Sequence, residues 1–174
     1  MKNFETERLI IRKISIDDLD QIYENWATDE ITNEYLTFKP HKNKEETKKM
    51  IDYWLKKYEK GGYEWCIELK ENHNVIGIIS GDISYKYKCI EIGYSISSKY
   101  FNNGYMNEAL KVIINYLLYE CNFNVVEAII PSNNIASIKT ALKCGMKEEA
   151  VLKRRYKNKV TGEVNDLLVY SIFK

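Results

Sequence analysis

Two segments of the 174-residue chain carry residue types and spacings that could do chemistry. The first is Ser95-Ile96-Ser97-Ser98-Lys99-Tyr100-Phe101-Asn102-Asn103-Gly104-Tyr105-Met106-Asn107-Glu108-Ala109. A strand there runs into a Gly-containing turn that opens a long helix. The free N–H groups of the turn and of the first helical residues converge, and the helix dipole favours an anion where they meet. A phosphate would fit. Asn103-Gly104 equally supplies the positive-φ residues of an ordinary tight turn, and the fragment alone does not separate the two uses. It is not a Walker loop, because no Gly-Lys-Ser/Thr follows Gly104, nor a dinucleotide fingerprint, because three spaced glycines are missing. The second segment is Asn134-Ile135-Ala136-Ser137 followed by Lys143-Cys144-Gly145-Met146. Asn134 is a good helix cap and Ser137 sits one turn in, an arrangement equally expected of any capped, Gly-terminated helix.

Other chemistries find little support. Cys66, Cys89, Cys121 and Cys144 stand singly, with no C-x-x-C pair and no His in ligand spacing, so reduced thiols are expected and neither a metal site nor a disulfide framework. His41 and His73 lie in polar stretches without a ligand partner, and Trp26, Trp54 and Trp65 lie on apolar faces as core residues. Lys plus Arg number 26 against 25 Asp plus Glu, so a net charge of +1 gives no basis for a nucleic-acid or anionic-membrane partner. The first residues, Met1 to Arg8, carry acids and no apolar core, and no later stretch approaches the ~18 apolar residues of a spanning helix. A cytoplasmic protein without membrane contact and with a small partner is the expectation.

The elements that must position the two segments follow from periodicity. With 45% hydrophobic and 29% charged residues and no Pro-, Gly- or Ser-rich break, residues 1–174 read as one domain. Leu9-Ile10-Ile11 is a short strand, and Ser15 or Asp17 caps a helix carrying Leu19, Ile22, Tyr23 and Trp26. Met50, Ile51, Trp54, Leu55 and Tyr58 recur at helical spacing up to Gly61-Gly62. Trp65–Leu69, Val75–Ile79 and Ile90–Ile96 read as three strands of an antiparallel meander, the last two joined by a Tyr85 to Lys88 turn. A deeply packed helix starts at about Asn107. Val125 to Ile130, ended by Pro131, reads as a central strand buried on both faces. A helix from Asn133 or Asn134 to Gly145 and strands around Val151–Tyr156 and Leu167–Phe173 complete an order β α α β β β α β α β β. The fold class is α/β, a mixed, mostly antiparallel sheet of about seven strands flanked by four helices.

Taken in order, these segments resemble the GNAT superfamily of N-acetyltransferases, specifically its RimJ/RimL-type branch of ribosomal-protein N-terminal acetyltransferases. Phe4-Glu5-Thr6-Glu7-Arg8-Leu9-Ile10-Ile11-Arg12 is similar to the "TERLxLR" start of that branch, and Ile90-Glu91-Ile92-Gly93-Tyr94-Ser95-Ile96 to its fourth strand. Phe101 to Ala109 resembles the aromatic-x-x-GYxxEA pyrophosphate loop, and Asn134-Ile135-Ala136-Ser137 with Lys143-Cys144-Gly145-Met146 resembles the later N-x-x-S…K-x-G-F element. Asp166 falls where the closing strand usually has Asp. The resemblance implies a GNAT-type sheet, acetyl-CoA as co-substrate, no metal and an amine acceptor, with a homodimer through the terminal strands as a family option.

By that resemblance the pantetheine lies beside the strand ending at Tyr94, Ser95 and Ile96, whose main-chain N–H groups polarise the thioester carbonyl. The pyrophosphate sits on Asn102, Asn103, Gly104, Tyr105, Met106 and Asn107, beside Phe101, with Asn134 and Ser137 also at the cofactor. An amine attacks directly through a tetrahedral intermediate. Amines are mostly protonated at neutral pH, with pKa near ~8 for an α-amine and ~10.4 for lysine, so Glu91 is the candidate base, directly or through water. Ser137 is the candidate acid for the departing thiolate, because the position of the usual helix Tyr holds Ala141. Glu30, Glu34, Tyr35 and Phe38 would line the acceptor entrance. Phe101 and Met106 depart from the family loop, and Asn102 and Asn103 replace a small or basic pair, which leaves phosphate binding mostly to backbone N–H groups helped by Lys99. The acceptor stays open among a protein N-terminus, an antibiotic and a polyamine. A catalytically inactive CoA-binding module and a nucleotide-binding protein are the competing classes.

Overall fold

Helices begin where short polar side chains can take up free N–H groups. In the structure, a computed structural model that describes residues 1–84 and 87–174, the chain order is β1 (Phe4–Glu5), β2 (Leu9–Lys13), α1 (Leu19–Ile22), α2 (Glu30–Asn33), α3 (Lys44–Glu59), β3 (Tyr63–Leu69), β4 (Val75–Ser84), β5 (Cys89–Ile96), α4 (Tyr105–Asn115), β6 (Val125–Pro131), α5 (Ile135–Lys143), β7 (Lys147–Lys157) and β8 (Val164–Phe173). Ser15 and Asp18 form a capping box before α1, Asp29 accepts from the amides of Ile31 and Thr32, Asn43 caps α3, and Asn134 caps α5. α1 runs on through a π-helical turn, Tyr23–Ala27, and α4 through another, Tyr116–Glu120. Half of the expected Tyr85 to Lys88 turn, Tyr85 and Lys86, lies outside the described residues.

The eight strands form one sheet in the order β1-β2-β3-β4-β5-β6-β8-β7, antiparallel throughout except where β5 meets β6. Alternation along the strands builds two cores. Leu9, Ile11, Trp65, Ile67, Ile90 and Ile92 face α4 with Ala109, Leu110 and Ile113, while Ile14, Cys66, Val75 and Ile78 pack with Ile22, Trp26 and Trp54 on the other side. All three tryptophans are therefore core residues, as their apolar surroundings in the sequence imply.

Among the described residues the structure has eight strands and five helices, against the seven and four expected. The additions are β1, two residues long, and α2, one helical turn, both too short to show a periodicity. It also corrects β6: Val126, Ala128 and Ile130 are buried, but Val125, Glu127 and Ile129 are only half-buried. A charge at mid-strand forces the alternation of a sheet with one well-covered face. His73 Nδ1 lies 2.6 Å from Glu68 Oε1, and His41 Nδ1 lies 2.8 Å from Thr47 Oγ1. Among the described residues no helix is long and apolar enough to cross a membrane, and no group of three or more His, Cys, Asp or Glu is arranged to hold a metal ion.

Lys57 fastens α3 to the sheet, bridging the carboxylate of Glu64 on β3 and, at 2.9 Å, Oδ1 of Asp82 on β4. Glu64 is fully buried, and burial, outweighing the pull of Lys57, pushes its carboxyl up to about 7. A carboxyl raised in the folded state adds stability below its unfolded pKa of roughly 4.5 and loses it as the pH rises through 7. Glu64→Gln should therefore gain in Tm relative to the parent as the pH is raised from 5 to 8. Parallel thermal melts across that range check this, and a constant difference contradicts it.

Candidate active site

β5 and β6 pair for only three residues, Cys89 with Val125, Ile90 with Val126 and Glu91 with Glu127. Beyond that point each strand stays in register with its other neighbour, β5 with β4 as far as Ile96–Gly77 and β6 with β8 as far as Pro131–Leu167. The two strands therefore part as rigid arms, and the facing edges of Ile92–Ile96 and Ala128–Pro131 have no ladder between them. Gly77 allows the close approach on the β4 side, where a Cβ would lie 2.6 Å from the Ser95 carbonyl oxygen.

Side chains from distant parts of the chain hold the rim of this opening. The Tyr94 hydroxyl donates to the Ser137 carbonyl at 2.8 Å, joining β5 to α5, and burial raises its pKa above the usual tyrosine value. On the other face Trp26 Nε1 donates to Ser95 Oγ at 3.0 Å. The segment between α1 and α3 fixes the end of β5: the Thr32 hydroxyl donates to the Ile96 carbonyl at 3.1 Å, and the Ser98 amide donates to Asp29 at 2.7 Å. Partial burial alone would raise Asp29, but hydrogen bonds from Thr32 and Ser98 hold it below the ordinary value. Tyr35 reaches the Asn133 carbonyl at 3.4 Å, and Asn158 Nδ2 reaches the Glu34 carbonyl at 3.3 Å. Phe38 packs edge-on to Trp26 with ring centroids 5.6 Å apart, in the second core.

The loop after β5 ends in a helix start without a side-chain cap. Asn102 at φ +63° and Gly104 at φ +80° are left-handed, and the first hydrogen bond within α4 runs from the Glu108 amide to the Gly104 carbonyl at 3.0 Å. The amides of Tyr105, Met106 and Asn107 thus have no partner inside the helix. Met106 offers only its amide, because its side chain is buried in the main core, and the Asn107 side chain is occupied by the Thr140 carbonyl and Cys144 Sγ. Phe101, Asn102, Asn103 and Lys99 are exposed beside it.

Residues far away in sequence clamp this helix start. Glu108 Oε1 accepts from the Thr6 hydroxyl at 2.5 Å and the Arg8 amide at 3.1 Å, while Oε2 accepts from the Arg8 guanidinium at 2.7 and 2.8 Å. Arg8 also donates to the Asn103 carbonyl at 3.0 Å and lies over the Tyr105 ring, 4.4 Å from its centre. Partial burial pushes the Glu108 carboxyl up, but these hydrogen bonds outweigh it and hold the group below its ordinary value.

Of the two expected proton-transfer residues, Ser137 sits in the first turn of α5, half-buried, its amide on Asn134 Oδ1 at 3.2 Å. Glu91 lies at the last paired position before the strands part, next to Asp82 and Glu127; partial burial first, then those two carboxylates, raise its pKa. The two do not meet. Glu91 shares the face of Ser95 and Trp26, whereas Ser137 lies with Tyr94 on the α4–α5 face. Tyr35, Asp29 and the Thr6–Arg8–Glu108 clamp are rim and loop residues that periodicity does not reveal; the one signal for Glu127 was an acid inside an apolar run.

Residues 8–147 match the family model described as an acetyltransferase (GNAT) domain. The chain belongs to the GNAT acetyltransferase family. It is an acyltransferase, and a curated relative, the uncharacterized N-acetyltransferase YoaA of Bacillus subtilis (strain 168), is 32% identical over 98% of this chain and 96% of its own. Among solved structures, RimL, the ribosomal L7/L12 alpha-N-protein acetyltransferase in complex with coenzyme A, superposes with a TM-score of 0.89 at 16% identity over 99% of this chain and 98% of its own. The microcin C7 self-immunity acetyltransferase MccE, in complex with acetyl-CoA and AMP, gives 0.84 at 18% identity over 97% and 94%. At those identities the likeness is one of GNAT fold.

Glu108→Gln keeps the shape of the clamp and loses its charge-assisted bonds, which should cost about 1–2 kcal/mol at pH 7. A carboxyl lowered in the folded state adds stability above its unfolded pKa of roughly 4.5 and loses it as the pH falls through the folded value. The difference between variant and parent in urea unfolding should accordingly shrink as the pH is taken below 4.5.

Proposed function

We propose that this GNAT enzyme transfers the acetyl group of acetyl-CoA to a primary amine, with a protein N-terminal α-amine as the first acceptor class and a small-molecule amine as the second. The observation that carries the reading is the parting of β5 and β6 beside a helix start with free amides. An extended chain fits along an unpaired strand edge, and a diphosphate fits the amides of Gly104, Tyr105, Met106 and Asn107. The coenzyme A in RimL and the acetyl-CoA in MccE support the donor, and the resemblance to RimL supports the acceptor order.

Acetyl-CoA brings a thioester carbonyl to the site. The main-chain amides around Tyr94, Ser95 and Ile96 are the groups that stabilise charge on its oxygen. Glu91 takes the proton of the incoming ammonium, and its raised pKa brings it nearer neutrality, where a general base works best. Ser95 is four positions along the strand from Glu91, about 13 Å in extended chain, so the transfer passes through water. The thiol leaving group, with pKa near ~8.5, needs only a weak donor, and the Ser137 hydroxyl at the start of α5 supplies it.

A thermal melt with acetyl-CoA, CoA and ATP, followed by thiol release with free-N-terminus peptides, polyamines and aminoglycosides, tests the reading. Stabilisation by acetyl-CoA and CoA with turnover of one amine class is expected. Stabilisation by ATP alone would overturn it, and CoA binding without turnover of any amine would favour an inactive module. Ser137→Ala should lower kcat about tenfold to a hundredfold while leaving CoA affinity within about threefold.

A further inference from the structure

The pyrophosphate loop carries no basic side chain between Phe101 and Asn107, so its function depends on how its peptide groups are aimed. A trans peptide is planar, and its C=O and N–H point in opposite directions. Fixing the carbonyl of one residue therefore fixes the amide of the next. The Arg8 guanidinium holds the Asn103 carbonyl at 3.0 Å, which turns the Gly104 N–H away from Arg8. Two residues earlier in the same loop, Asn103 Nδ2 holds the Phe101 carbonyl at 3.1 Å and so directs the Asn102 N–H.

Arg8 is itself held. Its backbone amide and two of its guanidinium nitrogens bind Glu108, the Thr6 hydroxyl completes that carboxylate, and the guanidinium lies over the Tyr105 ring. A planar fork grips the Glu108 carboxylate with two nitrogens and the Asn103 carbonyl with the third; the single nitrogen of an ammonium can bridge two acceptors but cannot occupy three separate donor positions. Glycine is called for at 104 by its left-handed φ of +80° rather than by space, since a Cβ there would be in ordinary contact, 3.6 Å, with Arg8 NH2.

We infer that Arg8, which is delivered from the β1–β2 turn, is a positioning residue that orients the Gly104 amide and the start of α4 for the diphosphate of the acyl donor. The inference rests on the proposed placement of the donor at this loop. Arg8 acts through Asn103 and Glu108, so it sets donor affinity rather than the chemical step.

Calorimetric affinities for acetyl-CoA and for acetyl-pantetheine, which has the thioester arm without the diphosphate, test it in the full-length chain. In the parent, acetyl-CoA should bind at least a hundredfold more tightly. Arg8→Met keeps an apolar stem on Tyr105 and removes the fork, and it should weaken acetyl-CoA at least tenfold while leaving acetyl-pantetheine within twofold. Arg8→Lys, which keeps the charge, should recover only part of that loss; it also serves if Arg8→Met does not fold. Equal weakening of both donors would mean a merely structural role and overturn the inference. Full recovery with Arg8→Lys would overturn it too, because charge alone would suffice, as would unchanged binding in both variants. If the unaltered protein binds the two donors equally, the donor placement itself fails, and the inference fails with it.

Discussion

The parting of β5 and β6 after the Glu91–Glu127 pair is the constraint on which the rest of the structure depends. A sheet maximises its ladder hydrogen bonds, so two adjacent strands stay open only if each is held from its other side. β4 holds β5 to Ile96 and β8 holds β6 to Pro131, and the cost of the unpaired edges is met by those intact ladders and by the side chains at the rim. The opening is an interruption in an otherwise continuous sheet, and the surrounding core keeps the interruption from closing.

The elements that secure the interruption come from far apart in the chain. Asp29 and Thr32 fix the end of β5, Tyr94 fixes the start of α5, and Thr6 and Arg8 fix the start of α4. The loop before α4 and the rim are therefore both held by directional bonds from distant segments, in which the carboxylates are used as acceptors. Asp29 and Glu108 are both held ionised by the hydrogen bonds they accept, whereas Glu64 and Glu91 are raised by burial, the latter also by its acidic neighbours. The same residue type thus serves as a fixed anchor at one place and as a titrating group at another.

Much of this was legible in the sequence. Long periodic runs announced α3, α4 and α5, the caps at Ser15 and Asn134 stand where they were expected, and the order of motifs pointed to the family. β1 and α2 escaped notice because two residues, or one helical turn, leave no period to read. The both-faces burial expected for β6 failed at Glu127, where a single charge outweighs its apolar neighbours. Rim contacts such as Tyr35 with Asn133, almost a hundred residues apart, depend on tertiary geometry that local pattern does not encode. The Thr6-Glu7-Arg8 motif was visible as a resemblance, but its partner, Glu108, emerges only when β2 and α4 are packed together.

Several tethers at the rim end on main-chain carbonyl oxygens, those of Glu34, Ile96, Asn133 and Ser137. A carbonyl is present whatever side chain the residue carries, so the accepting half of each tether survives substitution at these positions. The frame around the opening can therefore keep its shape while side chains at these positions change. Such an arrangement lets the lining of the opening change by small mutational steps without loosening the scaffold.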